Sequence, residues 1–414
     1  TISGSARHYP KGAAVIDMML HVFGEDQFRR VINHFLKHHA YGLVETNDLY
    51  QSFQDTLGLT PHRFFDQWLY RGGEPHYAVR WEAVPGATRV TVQQVHARDH
   101  LVRYFAMPVD FAVHYTDGTH DALRAEVDGP ITTVDVPDGR GREVAFVLFD
   151  PGSRILKRTT FTKPFAELRA QALHAPHMID RWDAVAAMRD TDVEEKRATL
   201  IETFGRERFH AVKGEVAAQL ANDPHPDSRA LVRRALADGD VEVRRAAIKG
   251  LRTVPEELRT AVEVMLADSS YDVLATAMKK LVADFPQHGA RYLAATDGVD
   301  GLDNAVRVER LELLAHTGDA AALDRIAELT TVSHEFRTRQ NAMQALKRLG
   351  HCNEAVAGHL FTAALSNNRR LANVAIDVLK DMRGRTAHRT MLDRHYRNGT
   401  WTEREREMLK AVFE

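Results

Sequence analysis

The sequence predicts a mainly α-helical, multidomain protein with three regions: a helical lobe at 1–75, an antiparallel β-sandwich at 76–162 and a HEAT-like α-solenoid at 163–414. Three observations predict this order: helical spacing of apolar residues at the start, short alternating segments in the middle, and a repeat in the last part. The length of 414 residues also exceeds what one hydrophobic core normally supports, so several domains are expected.

The first 75 residues carry four amphipathic helical patterns that are separated by short loops. Apolar residues recur three and four positions apart, and each run ends at a residue that disfavours helix. The predicted boundaries are Pro10 and Gly24 for the first helix, Thr46 as cap and Gly58 as end of the third, and Thr60-Pro61 with Gly72-Gly73 for the fourth.

The middle region changes to short segments rich in valine and aromatic residues, in which polar and apolar residues alternate. Turn sequences such as Asp117-Gly118 separate these segments, and no helical pattern lies between them. Seven strands without intervening helices predict an antiparallel sandwich. The predicted strands are Tyr77–Glu82, Arg89–His96, Val109–Tyr115, Ala122–Val127, Ile131–Val136, Val144–Phe149 and Ile155–Phe161.

The last region repeats with a period of about 30 residues, which is typical of stacked helix pairs. In each repeat an anchor residue lies eight positions before a leucine, and small residues lie on the same helix face. The anchor is apolar in every repeat except one, where it is a threonine. The anchor pairs are Val243/Leu251, Val273/Leu281, Val306/Leu314, Thr338/Leu346 and Leu371/Leu379.

The composition excludes several classes of protein. A formal net charge of -2 gives no long-range field that would attract nucleic acid or an anionic membrane. No run of about 18 apolar residues is present, so no membrane-spanning segment is predicted. The single cysteine, Cys352, excludes an internal disulfide and fits a reducing compartment, so a cytoplasmic location is expected.

The start of the chain suggests a larger parent protein. Thr1 lies a few residues before the first helical pattern, with neither an initiator methionine nor a signal-peptide pattern. We therefore expect that further sequence precedes these residues in the intact protein.

Three blocks within 1–75 carry a family resemblance: YPKGA at 9–13, AYGLVETNDLYQSF at 40–53 and FFDQWLYRGGEP at 64–75. In order and spacing they resemble the end of the catalytic domain of M1 family (gluzincin) zinc aminopeptidases. The segment FDPGSRILKRTTF at 149–161 is also similar to members of this group. The resemblance implies that 1–75 is the C-terminal helical lobe of a thermolysin-like domain, followed by an Ig-like β-sandwich and helical repeats.

The resemblance also implies a catalytic role for Tyr9. In this family the tyrosine of the Y-x-K-G-A block points at the substrate carbonyl, opposite the zinc. A phenol with a pKa of about 10 remains protonated at neutral pH, so it can donate a hydrogen bond to a developing oxyanion. The alternative is a packing tyrosine near a helix start. Lys11 and Gly12 are interpreted as structural: Lys11 would pair with a carboxylate outside this chain, and Gly12 would allow a close approach to a neighbour.

The zinc ligands of the family are absent from the sequence. They lie in an H-E-x-x-H motif with a further glutamate, which supplies two histidines and one carboxylate. The pair His334-Glu335 is not followed by a second histidine. Zinc is therefore expected in the complete protein, bound by residues upstream, and this chain alone is predicted to be inactive.

Histidines, the single cysteine and two arginine pairs are the other groups considered as possible functional sites. The histidines His8, His38-His39 and His225 are predicted to be surface residues because none has metal-ligand spacing. Cys352, next to His351, is predicted to be an inert thiol. The pairs Arg233-Arg234 and Arg244-Arg245 form either a basic stripe for an acidic partner or ion pairs with Asp238 and Asp240.

The sequence leaves two functions in competition. In the first, the chain is the C-terminal part of an aminopeptidase: the missing N-terminal half brings zinc, Tyr9 completes the site, and the repeat region covers the cleft so that peptides enter by a free N-terminus. In the second, the chain is a catalytically inactive M1-like scaffold whose helical repeats bind other proteins. The Tyr9 block favours the first, because a scaffold needs no phenol there.

Overall fold

The computed structural model describes the backbone of residues 5–414 and the side chains from residue 9 onward. The chain divides into two compact units between Glu215 and Val216, and each unit is described by itself. The predicted domain boundaries at 75/76 and 162/163 stay predictions. Among residues 5–414, none of the helices combines the length and apolar content needed to cross a bilayer.

The first unit opens with the predicted helical lobe. Its helices are α1 (Ser5–Phe23), α2 (Glu25–His38), α3 (Thr46–Leu57) and α4 (His62–Phe65), and α4 continues into a π-helical turn at Asp66–Tyr70. These four helical segments confirm the helices that the spacing of apolar residues predicts.

Two boundaries of this lobe differ from the prediction. Helix α1 begins before Pro10 and runs through it, although a proline inside a helix removes one backbone hydrogen bond and crowds the carbonyl four residues before it. The N-cap of α3 is Glu45 and not Thr46: the Glu45 carboxylate accepts from the backbone of Asp48, whose own carboxylate accepts from the Glu45 N–H at 2.7 Å. Gly58 ends α3 in the left-handed conformation, as predicted.

Seven strands follow and form two sheets. The strands are β1 (His76–Val84), β2 (Ala87–Gln94), β3 (Met107–Tyr115), β4 (His120–Val127), β5 (Ile131–Pro137), β6 (Val144–Phe149) and β7 (Arg158–Thr160). One sheet has the order β5-β2-β1-β7 and the other β4-β3-β6. All pairings are antiparallel except that of β7, which lies parallel to β1.

The last predicted strand, Ile155–Phe161, is wrong in length and direction. Only three of its residues pair, because the preceding loop is held by side-chain hydrogen bonds to Asp150 and not by a sheet ladder. The predicted antiparallel arrangement therefore holds for the other six strands.

The helical lobe and both sheets share one hydrophobic core. Its buried members include Val15 and Phe53 from the helices, Val90 from the first sheet and Phe111 from the second. Burial of this continuous apolar surface stabilises the lobe against the sheets, so α1 is fixed to the rest of the first unit.

Tyr77 is an unusual member of this core. The residue is fully buried, and its hydroxyl has no hydrogen-bond partner among the described residues. Burial raises the pKa of the Tyr77 phenol above its usual range.

We expect Tyr77→Phe to raise the free energy of unfolding by about 1 kcal/mol, because it removes a buried polar atom without a partner. The control is Tyr115→Phe, which loses a hydrogen bond from the Tyr115 hydroxyl to Asp121 at 3.1 Å and should destabilise. Urea unfolding would measure both, and a destabilised Tyr77→Phe variant would contradict this expectation.

The remaining chain is helical throughout. The helices that begin before residue 216 are α5 (Phe165–His174), α6 (Met178–Ala187), α7 (Val193–Arg206) and α8 (His210–Leu220). The following ones are α9 (Pro226–Leu236), α10 (Val241–Gly250), α11 (Glu256–Val264), α12 (Tyr271–Asp284), α13 (Gly289–Ala295), α14 (Ala305–His316), α15 (Ala320–Glu328), α16 (Phe336–Leu349), α17 (Glu354–Ala364), α18 (Arg369–Gly384), α19 (Thr386–Asn398) and α20 (Glu403–Phe413).

The predicted repeat falls on alternate helices of the second unit. The anchor residues lie on α10, α12, α14, α16 and α18, except that Leu251 directly follows α10. Each of these helices packs against the next one in this series. The anchors are buried, apart from a half-buried Leu314. The period in the sequence therefore corresponds to a repeated packing position, while the assignment to HEAT-type repeats stays a prediction.

Candidate functional site

Tyr9 lies on α1, and its side chain is 79% exposed. The same helix is held in the core farther along by Val15, Met18 and Met19, which are all buried. An exposed phenol on an anchored helix can meet a molecule from outside without rearrangement of the core. The catalytic role of Tyr9 and the packing alternative both stay predictions.

Lys11 connects the start of α1 to the end of the lobe. Its ammonium Nζ donates a hydrogen bond to the Gly73 carbonyl at 3.2 Å. Gly73 has a φ of +85°, and a Cβ atom there would lie 2.8 Å from Cγ1 of Val102, so glycine is required. This bond joins the first and third blocks, and among the described residues Lys11 binds a carbonyl and not a carboxylate.

The prediction for Gly12 is not met by the described residues. A Cβ atom built at Gly12 would have no heavy atom within 4 Å, so no close approach to this residue occurs within the described chain. Packing among the described residues therefore does not require glycine at the position.

The third block is docked on the second sheet through Gln67 and Trp68. The Gln67 amide donates to the Ala106 carbonyl at 3.1 Å and accepts from the Ala106 N–H at 2.6 Å. The Trp68 ring is buried, and its Nε1 lies 3.2 Å from the sulfur of Met107. These contacts fix the chain that carries Gly73, and through it the position of Lys11.

A buried ion pair lies in a loop that contacts α1. The carboxylate of Asp150, which is completely buried, accepts from Lys157 Nζ at 2.5 Å and from the backbone N–H groups of Arg154 and Ile155. Asp150 itself has a φ of 55°, a conformation that costs energy in a residue other than glycine. The same loop reaches α1, because the Leu156 N–H lies 3.1 Å from the sulfur of Met18. We call residues 150–157 the Asp150 loop.

Beside the Asp150 loop lies a polar cavity of about 330 Å³, between β6, α5 and α6. Burial lowers the pKa of Lys163 to about 8, although the ammonium donates to the Val147 carbonyl and the Gln171 amide oxygen, both at 2.5 Å. Asp183 is exposed over much of its surface, yet desolvation of its carboxyl group and the nearby charge of Asp180 raise its pKa to about 6. The cavity therefore concentrates perturbed charges that the sequence did not predict.

A histidine on the second sheet is expected to make the fold sensitive to acid. His114 is stacked on Phe146 at 4.3 Å between ring centroids, and its other neighbour is His120 at 5.1 Å. Burial and then the charge of His120 lower the pKa of His114 to about 4. The unfolded chain binds this proton near pH 6.5, so the unfolding free energy should fall as pH drops from about 6.5 to about 4.

Asp183 acts in the opposite direction over a similar range. Its raised pKa means that the folded state holds a proton that the unfolded state has lost, so its contribution increases as pH falls through about 6. Solvent screening makes this effect the smaller one. We therefore expect His114→Gln to flatten the acid limb of a plot of unfolding free energy against pH, and Asp183→Asn to steepen it slightly. Urea titrations between pH 7 and pH 4.5 would decide, and an unchanged limb in His114→Gln would contradict the assignment.

The described residues do not fit a zinc site. Among the described side chains, no group of three or more histidines, cysteines or carboxylates is arranged to hold a metal ion. His38 is stacked on His34 at 5.5 Å between ring centroids, and Glu335 caps α16 by accepting from the Arg337 N–H at 2.7 Å. The His225 ring similarly caps α9. The side chain of His8 lies outside the described residues.

Cys352 has the properties of an unreactive thiol. The residue is buried, and its Sγ lies 3.9 Å from the Asn353 carbonyl. Burial raises the pKa of the thiol to about 11, so the thiolate that acts as a nucleophile is scarce at neutral pH. This agrees with the prediction.

The arginine pairs are engaged within the second unit. Arg244 binds both oxygens of Asp268 at 2.7 and 2.8 Å, and Arg245 pairs with Glu242 and with Asp272. The ion-pair interpretation is therefore confirmed for Arg244 and Arg245, whose carboxylate partners are Asp268, Glu242 and Asp272. Asp238 accepts from Arg244 through its backbone carbonyl, and Asp240 caps α10. Arg233 donates to the Glu257 carbonyl at 2.9 Å.

Comparisons with known proteins agree with the resemblance of the first blocks. Residues 5–68 match the model of the peptidase family M1 domain. The tricorn protease-interacting factor F2 of Thermoplasma volcanium is 34% identical over 67 residues, which cover 16% of this chain and 9% of that protein. Aminopeptidase N of Streptomyces lividans is 26% identical over 157 residues, covering 34% of this chain and 18% of that protein.

A solved structure matches nearly the whole chain. The aminopeptidase A of Legionella pneumophila, crystallised with aspartic acid, aligns with 99% of this chain at a TM-score of 0.53 and 14% sequence identity. At this identity the match shows the fold alone. The chain spans 56% of that protein and less than a fifth of the two relatives matched by sequence. The helical lobe that opens this chain, with Tyr9 on its first helix, is the part that matches the peptidase family M1 domain.

Proposed function

We propose that this chain is the C-terminal part of a zinc-dependent aminopeptidase that hydrolyses the N-terminal peptide bond of peptides. The observation that carries the proposal is the family match over residues 5–68, which contains Tyr9 and its Tyr-x-Lys-Gly-Ala block. Zinc would be held by residues outside this chain, because the described residues do not fit a zinc site. The expected cytoplasmic location and the peptide substrates with a free N-terminus belong to the same proposal.

In this proposal Tyr9 stabilises the oxyanion that forms when the peptide carbonyl is attacked. A phenol oxygen keeps its proton at neutral pH and can donate it in a hydrogen bond to that oxygen. The exposure of Tyr9, the burial of α1 beyond it and the bond from Lys11 to Gly73 support the role, since a donor helps catalysis most when its position is fixed beforehand.

The finer architecture is also part of the proposal. The two sheets enclose a common core, which supports an Ig-like β-sandwich at 76–162. The series of contacts from α10 to α18 supports a HEAT-like array within 163–414. Covering the cleft is the role that we propose for this helical region.

The proposed partner of the helical lobe is the remainder of the peptidase domain. Several large apolar side chains of the lobe are exposed, and Tyr41 and Leu43 in the second family block are fully so. Large apolar side chains that are exposed in one lobe suit a surface that another protein covers. We call this set the apolar edge; its members are Leu36, Tyr41, Leu43, Val44 and Leu59.

Mixing this chain with the polypeptide that precedes it in the parent protein tests the partner. We expect the two to co-elute in gel filtration, and Tyr41→Ser with Leu43→Ser to weaken the complex, because two apolar anchors are lost. Val332→Ser is the matched control, since Val332 is also largely exposed but lies in the second unit. Failure of the pieces to associate would reject the proposed partner, and an equal effect of Val332→Ser would reject the apolar edge.

The inactive-scaffold alternative can be separated by sequence. An H-E-x-x-H motif encoded shortly before Thr1 in the parent gene would support the enzyme, because it supplies the ligands that this chain lacks. Its absence there would reject the proposed function and leave the scaffold.

A further inference from the structure

A cleft in the second unit is lined by four basic residues from neighbouring repeats. It has a volume of about 460 Å³ and lies between α10 and α12. Its cations are Lys249, Arg252, Lys279 and Lys280, and the other lining residues are Thr276, Ala283 and Asp284. Because the cleft shares no residue with the helical lobe that carries Tyr9, its role is independent of the proposed peptidase activity.

Among the residues that line the cleft, the acidic groups do not balance the cations. Asp284 is the one carboxylate among the lining residues, and it accepts a hydrogen bond from the Val254 N–H at 2.7 Å. Lys249 pairs with Asp272 and Lys279 pairs with Glu309, each at 2.8 Å, and neither of these two acids lines the cleft. Lys280 donates to the Leu251 carbonyl at 2.5 Å, and among the described residues its ammonium has no carboxylate partner.

Arg252 is the residue that packing does not explain. Its backbone N–H donates to Asn222, but within the described chain its guanidinium has no hydrogen bond and no ion pair. The three lysines can be explained as links between successive helices, since Lys347 makes a similar bond to Asp377 at 2.7 Å without lining this cleft. Links of this kind do not account for the presence of an arginine beside three lysines in one cleft.

We propose that this cleft binds a small molecule with adjacent phosphate groups. Lysine and arginine donors suit phosphate oxygens, and several cations at one place favour a multivalent anion over a single carboxylate. The volume suits a small ligand. A net charge of -2 over the chain provides no extended field for a nucleic acid, so a local cluster selects a compact anion.

Isothermal titration with inorganic tripolyphosphate tests the site, and ATP without magnesium tests whether the phosphates can belong to a nucleotide. Binding of both at one site per chain, weakened by added salt, is the expected result. Tripolyphosphate binding alone would assign the site to inorganic polyphosphate. No binding of tripolyphosphate, or equal binding of an acidic peptide with no preference for phosphate, would overturn the proposal.

Arg252→Gln is the decisive variant because the guanidinium holds nothing in the described fold, so folding should be unchanged. We expect about tenfold weaker binding of tripolyphosphate, the loss of one charge-assisted contact. Lys279→Gln should weaken binding similarly, while Lys347→Gln, the matched lysine outside the cleft, should leave it unchanged. Binding that survives both cleft substitutions, or that Lys347→Gln reduces as much, would place the anion elsewhere.

Discussion

Tyr9→Phe in the complete protein is expected to lower turnover by about 10²–10³-fold while the zinc content stays unchanged. The phenyl ring keeps the shape and removes only the donor that would meet the oxyanion. Because this interaction forms chiefly in the transition state, kcat and kcat/KM should fall together, with little change in KM. Steady-state hydrolysis of a chromogenic amino-acid anilide, with metal analysis of the same samples, measures both quantities.

The control for this substitution is Tyr271→Phe. Tyr271 is about half exposed on α12 and has no proposed role, so the same loss of a phenol there should leave kcat unchanged. Full activity in Tyr9→Phe would show that the phenol is not the donor. A rise in KM alone would indicate that Tyr9 only binds substrate.

Asp150→Ala is expected to lower the free energy of unfolding of this chain by about 3–5 kcal/mol. The substitution leaves the Lys157 ammonium buried without its carboxylate, and it also removes the acceptor for two backbone N–H groups. Alanine tolerates the φ of 55° less well than aspartate, which adds to the loss. Urea unfolding at neutral pH measures the difference.

Two further variants separate the causes of this loss. Asp150→Asn keeps a residue that accepts the left-handed conformation, so it isolates the charge. The double variant Asp150→Asn with Lys157→Met removes both charges, and it should recover part of the stability because no buried charge is left unpaired. Glu25→Ala breaks the exposed pair with Arg29 and should cost at most about 1 kcal/mol. An Asp150→Ala variant no worse than Glu25→Ala would contradict the role of the Asp150 loop.

Much of the fold follows from periodicity. The spacing of apolar residues predicts the four helices of the lobe, and alternation predicts six of the seven strands close to their observed ends. Periodicity fails where side-chain hydrogen bonds replace backbone pairing. Part of the Asp150 loop has the sequence pattern of a strand but forms a loop, and Glu45 is the N-cap of α3 where Thr46 is expected. Such choices depend on contacts that form only after the chain has folded.

The candidate site is only partly visible in the sequence. Tyr9 is predicted through its block, which lies within the residues that match the peptidase family M1 domain. The bond from Lys11 to Gly73 joins residues far apart in the chain, and no local pattern predicts it. The segment FDPGSRILKRTTF contains Asp150 and Lys157, but charged residues in a turn are normally exposed, so their burial requires the structure.

The zinc-dependent release of an N-terminal amino acid, measured when this chain is mixed with the preceding half of the parent protein, tests the proposed function most directly. We predict no activity from either piece alone and activity from the mixture, lost on chelation and restored by zinc. An assembled mixture that contains zinc and still cleaves no anilide or peptide would contradict the proposed function.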